Sequence, residues 1–123
     1  MSKLLIVDDH ALVREGLKRA LTNEGFNEIT EASSIAQARA GIAASQPDVV
    51  TVDINLPDRK GLELINELKN SSLEVLVVIL ATAMDEDQTI DALRYGVKGV
   101  VLKDMPAHLL LQCLQKVAAG GLW

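Results

Sequence analysis

Acids close two apolar runs of this chain: Asp8 and Asp9 follow Leu4-Leu5-Ile6-Val7, and Asp53 follows Val49-Val50-Thr51-Val52. A basic residue, Lys103, closes a third run, Val100-Val101-Leu102. Carboxylates held together at the ends of buried strands repel one another, and loss of hydration raises the cost. A divalent cation among their oxygens reverses that balance, because hard cations such as Mg²⁺ take carboxylate ligands. The lysine adds a positive group at the same edge. The chemistry these residues suit is that of a metal beside a phosphoryl group.

The elements that must position them alternate between strand and helix. Residues 4–8 read as a short apolar strand, followed by a helix with Val13, Leu17, Ala20 and Leu21 on one face and Gly25 at its end. Residues 28–32 form a more polar strand near a sheet edge. Ile35, Ala38 and Ile42 mark a helix capped by Ser33 or Ser34 and stopped by Gln46-Pro47. Residues 49–53 are the second strongly apolar strand, and Leu62, Ile65 and Leu68 mark a helix that begins near Gly61. Residues 75–80 are the longest β run. Asp85-Glu86-Asp87 suits a helix N-terminus, where the macrodipole favours negative charge. A fifth strand over 99–102 precedes a helix over 106–119 that opens at Pro106 and ends at Gly120-Gly121.

Five β-α units with near-continuous apolar strands predict a parallel sheet covered on both faces. Right-handed crossovers at this length favour an α/β, doubly wound five-stranded sheet over a closed barrel. Such sheets bind ligands beyond the strand carboxyl ends, where the strand order reverses. In the order 2-1-3-4-5 the strands adjacent there are the first and third, which carry Asp8-Asp9 and Asp53.

The 123 residues make one domain with a single core. A hydrophobic content of 49% with 24% charged residues is ordinary for a globular protein. No apolar stretch reaches the roughly 20 residues of a membrane-spanning helix, and no secretory signal opens the chain, so no membrane partner is expected. The lone cysteine, Cys113, excludes an internal disulfide, fits a reducing cytoplasm, and lies on a helical face with Leu110, Leu114 and Val117 as a buried structural thiol. A net charge of −5 argues against this segment gripping nucleic acid itself. Tyr95 and Trp123 are too sparse for a base-stacking platform. Asp48 and Asp58 read as turn and cap acids, His108 as a surface residue, and His10 as an exposed helix-start residue, with cation ligation as its alternative.

Ile6-Val7-Asp8-Asp9-His10, Asp53 followed by Pro57 and Gly61, and Leu102-Lys103 together resemble the receiver domain of bacterial two-component response regulators. The resemblance spans essentially the whole chain and implies the flavodoxin-like receiver fold over residues 1–119, with 120–123 starting a linker. Asp-Asp-His after the first strand and Leu-Lys-Asp-Met after the fifth are most similar to the NarL/FixJ class, which carries a LuxR-type helix-turn-helix output domain. By this resemblance Asp53 is the phosphoacceptor, attacking the phosphohistidine of a partner sensor kinase. Mg²⁺ is held by Asp9, Asp53 and the main-chain carbonyl of Asn55, with Asp8 acting through water. Lys103 pairs with Asp53 and then with a phosphoryl oxygen, while Pro57 and Gly61 shape the loop below. The implied partners are the kinase, a second copy on phosphorylation, and DNA only through an output domain outside this chain.

Two positions depart from the family pattern. Counting back from Lys103, the hydroxyl position at the end of the fourth strand falls on Ala81, and strand alternation turns the neighbouring Thr82 to the opposite face. The usual aromatic of the fifth strand is Val100. Signalling then uses another route, Thr82 substitutes through a local bulge, or Ala81 is an introduced residue. As function, a phosphoacceptor module that is not a turnover enzyme leads. An aspartyl-nucleophile phosphatase would want an acid where Asn55 stands, and a flavin carrier would want a phosphate-cradling loop where Asp8-Asp9 stand. A stand-alone interaction domain is the remaining alternative.

Overall fold

The computed structural model describes residues 2–57 and 60–123. Its elements alternate as β1 (Ser2–Val7), α1 (Ala11–Leu21), β2 (Phe26–Ala32), α2 (Ile35–Ser45), β3 (Val49–Asp53), α3 (Gly61–Lys69), β4 (Leu76–Ala81), α4 (Glu86–Arg94), β5 (Gly99–Leu102) and α5 (Ala107–Ala118). All strand pairs are parallel, in the order 2-1-3-4-5, which is the expected doubly wound sheet. Strands β3 and β5 have the expected bounds, and β2 is an edge strand. β4 runs one residue later than its apolar run suggests, because Ala81 pairs with Leu102 while Val75 precedes the ladder.

Local signals set the helix ends. The Ser34 side chain accepts the Gln37 N–H, and Asp85 forms a capping box with Gln88. Gln46 adopts a left-handed conformation (φ 49°) that ends α2. Of the face assigned to the first helix, Leu21 is buried, Val13 and Leu17 are half-buried and Ala20 is exposed. The contact face runs along the four-residue ridge Val13, Leu17, Leu21, and Ala20 falls beside it. Asp58 lies outside the described residues. At the C-terminal end, Trp123 donates its backbone N–H to the Lys98 carbonyl at 2.9 Å, so residues 120–123 return to the start of β5.

The pleat of the sheet divides the core into two layers. On one face Leu5, Val7, Val50, Val52, Val77, Ile79 and Ala81 pack with residues of α2, α3 and α4. On the other, Leu4, Ile6, Val49, Val78, Leu80 and Val101 pack with Leu110, Cys113, Leu114 and Val117 of α5. Each fully buried Leu or Ile contributes roughly 1.5–3 kcal/mol relative to exposure. The alternation also decides where the strand-end residues point. Asp8 follows Leu4 and Ile6, Asp53 follows Val49 and Thr51, and Lys103 follows Val101, so all three belong to the α5 side.

The end of β4 lies where counting back from Lys103 expects it, with Ala81 as the last residue of the strand. Ala81 is fully buried in the layer against α4, with Ile79 and Ala92. Thr82 is exposed just past the strand. The β3–β4 and β4–β5 registers run without interruption, so no bulge is involved.

Candidate phosphoryl and metal site

Parallel register brings the strand ends to one edge: Val7 pairs with Val52, Asp53 with Leu80, and Ala81 with Leu102. The residues one step beyond meet there. Asp8 and Asp53 are buried to within 1% exposure, which a carboxylate tolerates only with partners. Lys103 is the common partner, its Nζ 2.7 Å from Asp53 Oδ2 and 2.8 Å from Asp8 Oδ2. Burial alone would pull the lysine pKa down, but hydrogen bonds to Asp53 and Asp8 and the charges of both acids outweigh it, holding the ammonium above its ordinary value.

Backbone groups hold the remaining oxygens. Asp8 Oδ1 accepts the His10 N–H at 2.9 Å, and Asp53 Oδ1 accepts the Asn55 N–H at 2.8 Å. Arg14 Nη1 donates to the Asp8 carbonyl at 2.6 Å, clamping the end of β1 from α1. Gly61 packs against the backbone at the end of β3: a Cβ there would sit 3.1 Å from the Asp53 carbonyl oxygen, tighter than an ordinary contact, which favours glycine at the start of α3.

Among the described residues, Asp8, Asp9, His10 and Asp53 each offer a ligand atom, and these atoms lie within 4.8 Å of one another. Asp9 Oδ1 takes no hydrogen bond and faces His10 at 3.2 Å, and Asp8 Oδ2 is engaged by the Lys103 ammonium at 2.8 Å. A set of hard oxygen donors with spare lone pairs fits Mg²⁺.

Every described residue the sequence nominated is at this edge or next to it, except Val100. Ala81 is buried at the end of β4, and Val100 is half-buried beside Met84, Leu93 and Trp123. Asn55 is exposed, and its side chain does more than its sequence position suggests. Its Oδ1 accepts the Thr82 N–H at 2.7 Å and its Nδ2 donates to the Ala83 carbonyl at 3.3 Å. His10 is exposed as expected, yet its Nδ1 is 3.2 Å from an oxygen of Asp8 and 3.2 Å from one of Asp9. Its adjacency to the acid pair was the only sequence signal for that contact. A cavity of roughly 660 Å³ between Asp48, Lys69 and Gly96 contains none of these acids and lies at the opposite ends of the strands.

A family model described as the response regulator receiver domain matches residues 4–115. Over 121 residues the chain is 35% identical to the DNA-binding transcriptional activator DevR/DosR of Mycobacterium tuberculosis, covering 98% of this chain and 56% of that protein. It is 31% identical to the chemotaxis protein CheY of Bacillus subtilis, covering 93% of this chain and 95% of CheY. The solved receiver domain of the response regulator NarL from Mycobacterium tuberculosis superposes with a TM-score of 0.87 at 28% identity, covering 97% of each chain. The chain spans about half the length of DevR/DosR and the other transcriptional regulators it matches.

Proposed function

Because this chain belongs to the response regulator receiver family, we propose that Asp53 is its phosphoacceptor, with Asp8, Asp9, Asp53 and the Asn55 main-chain carbonyl as the Mg²⁺ site and Lys103 as the charge partner. The observation that carries the reading is the contact of Asp53 with Lys103 at 2.7 Å inside a cluster that also holds Asp8 and Asp9. Bound Mg²⁺ neutralises the charge that carboxylates and phosphoryl oxygens accumulate together.

The chain's own residues then do the positioning. A carboxylate oxygen of Asp53 forms the new bond to phosphorus as the bond from phosphorus to the kinase imidazole nitrogen breaks, the electron pair leaving with that nitrogen. Asp53 is a weak nucleophile, so the rate depends on alignment and on charge neutralisation. The Asn55 N–H fixes one Asp53 oxygen and the Lys103 ammonium engages the other. After transfer the ammonium has a phosphoryl oxygen as its acceptor. In this reading the chain is an acceptor rather than a turnover enzyme.

The upstream partner is a sensor histidine kinase, and the output is phosphorylation-dependent self-association that controls DNA binding by a domain outside this chain. Support for that output comes from the transcriptional regulators that the chain half-covers. A stand-alone receiver acting through protein contacts is the second reading, supported by the nearly full-length match to CheY. A phosphatase is less well supported, since Asn55 stands where its second acid would be.

Incubation with acetyl phosphate and Mg²⁺ tests the proposal. One phosphoryl group should be gained at Asp53, and chelation by EDTA should suppress it. An Asp53→Asn protein that is modified as fast as the original would refute the assignment.

A further inference from the structure

The imidazole of His10 has no part in the proposed phosphoryl transfer, yet it sits among the acids. Resting on the cation-site reading above, we propose that His10 Nδ1 is a further ligand of that site, making it a mixed nitrogen–oxygen site selective for transition-metal dications such as Ni²⁺, Co²⁺ and Zn²⁺.

The geometry is that of ligands converging on one ion. Nδ1 is 3.2 Å from Asp8 Oδ1 and 3.2 Å from Asp9 Oδ1. Neighbouring ligands at right angles, each about 2.1 Å from a shared ion, stand about 3 Å apart. The backbone holds the ring there. His10 occupies the N-cap position of α1 in an extended conformation, and its N–H is tied to Asp8 Oδ1 at 2.9 Å. Its side chain makes no capping hydrogen bond to α1, so the ring nitrogen is not committed to the helix. Lys103 Nζ is the other group facing it, at 3.4 Å. The ring is 64% exposed, so an ion reaches it from solvent.

One further observation separates this from a chance gathering of surface acids. Asp8 is fully buried, its Oδ2 engaged by the Lys103 ammonium at 2.8 Å, while the nearby Asp9 Oδ1 takes no hydrogen bond and faces His10. Chemistry then decides the preference. Carboxylates and carbonyls suit Mg²⁺, whereas imidazole suits Ni²⁺, Zn²⁺ and copper, whose affinities rise along the Irving–Williams series. One nitrogen donor added to an oxygen set therefore raises affinity for the later metals and does little for Mg²⁺.

Calorimetric titration of the full chain with Mg²⁺ and, separately, Ni²⁺ tests this, with His10→Asn and His108→Gln as variants. His108 is exposed on α5 and controls for binding by a surface imidazole. The expected result is a fall of about tenfold or more in the ratio of Ni²⁺ to Mg²⁺ affinity for His10→Asn, with no change for His108→Gln; groups that only hydrogen-bond to metal ligands already act on this scale. In the Co²⁺ form, a paramagnetically shifted imidazole resonance should be present in the original protein and absent from His10→Asn. An unchanged ratio in His10→Asn overturns the proposal while leaving the Mg²⁺ site intact. A loss shared by His108→Gln also overturns it. If neither ion binds the original protein, the cation-site reading itself fails.

Discussion

The Asn55 side-chain oxygen accepts the backbone N–H of Thr82 at 2.7 Å, tying the loop after β3 to the loop after β4. Beyond the backbone bond from the Ile54 N–H to the Leu80 carbonyl at 3.1 Å, this side chain links the two loops, with its Nδ2 also donating to the Ala83 carbonyl. Asn55→Ala should speed hydrogen exchange of the Thr82 and Ala83 amides by several-fold, at a global cost of about 1 kcal/mol. Amide exchange by NMR would show it; unchanged protection at both positions would mean that the loop holds itself.

Substitutions at Ala81 and Thr82 should separate the core from the site. Ala81→Ser places a hydroxyl in the layer against Ile79 and Ala92 and should lose about 1–3 kcal/mol in urea denaturation. Thr82→Ala is exposed and should stay within about 0.5 kcal/mol. It should instead weaken the amide shifts that beryllofluoride induces around residues 82–104. A hydrogen bond to a charged acceptor contributes roughly 1.5–3 kcal/mol, about tenfold or more in a two-state balance. Undiminished shifts in Thr82→Ala would remove the hydroxyl from the relay.

Lys103→Met should destabilise the metal-free protein by about 3 kcal/mol, because it leaves Asp8 and Asp53 buried without their cation. Saturating Mg²⁺ should restore more stability to this variant than it adds to the original protein. Thermal melts in EDTA and in Mg²⁺ would compare the two, and an equal Mg²⁺ response would show that Lys103 and the metal do not share oxygens.

Alkaline pH should lower stability through two groups. Burial pushes the Cys113 thiol up from 9.0 to about 11, and the acids around Lys103 raise its pKa above 10.5. For a group raised on folding, the stabilising difference is complete below its unfolded value and is lost as pH climbs through the folded one. Stability should therefore decline from about pH 9 to 11, with a slope approaching 1.4 kcal/mol per pH unit. Urea midpoints for Cys113→Val should fall less steeply over that window. The native thiol should also resist alkylation until the protein unfolds, since Cys113 is fully buried.

The chain's own residues determined the elements and the edge at which chemistry occurs. Val49–Asp53 and Gly99–Leu102 are readable as strands because a continuous apolar run is a local property. Acids and a lysine ending such runs declare themselves in the same way. Three-dimensional packing decided what local pattern cannot hold. Ala81 and Thr82 are neighbours in the chain, and which one is buried depends on how the end of β4 meets a core layer built from distant residues. His10 is beside Asp9 in the chain, but its distance to Lys103 exists only because β1 and β5 end at the same edge of the sheet. The bridge from Asn55 to Thr82 joins residues 27 apart, set by the β3–β4 register. A sequence records which groups each strand carries to its end; only the folded sheet decides which of them face one another.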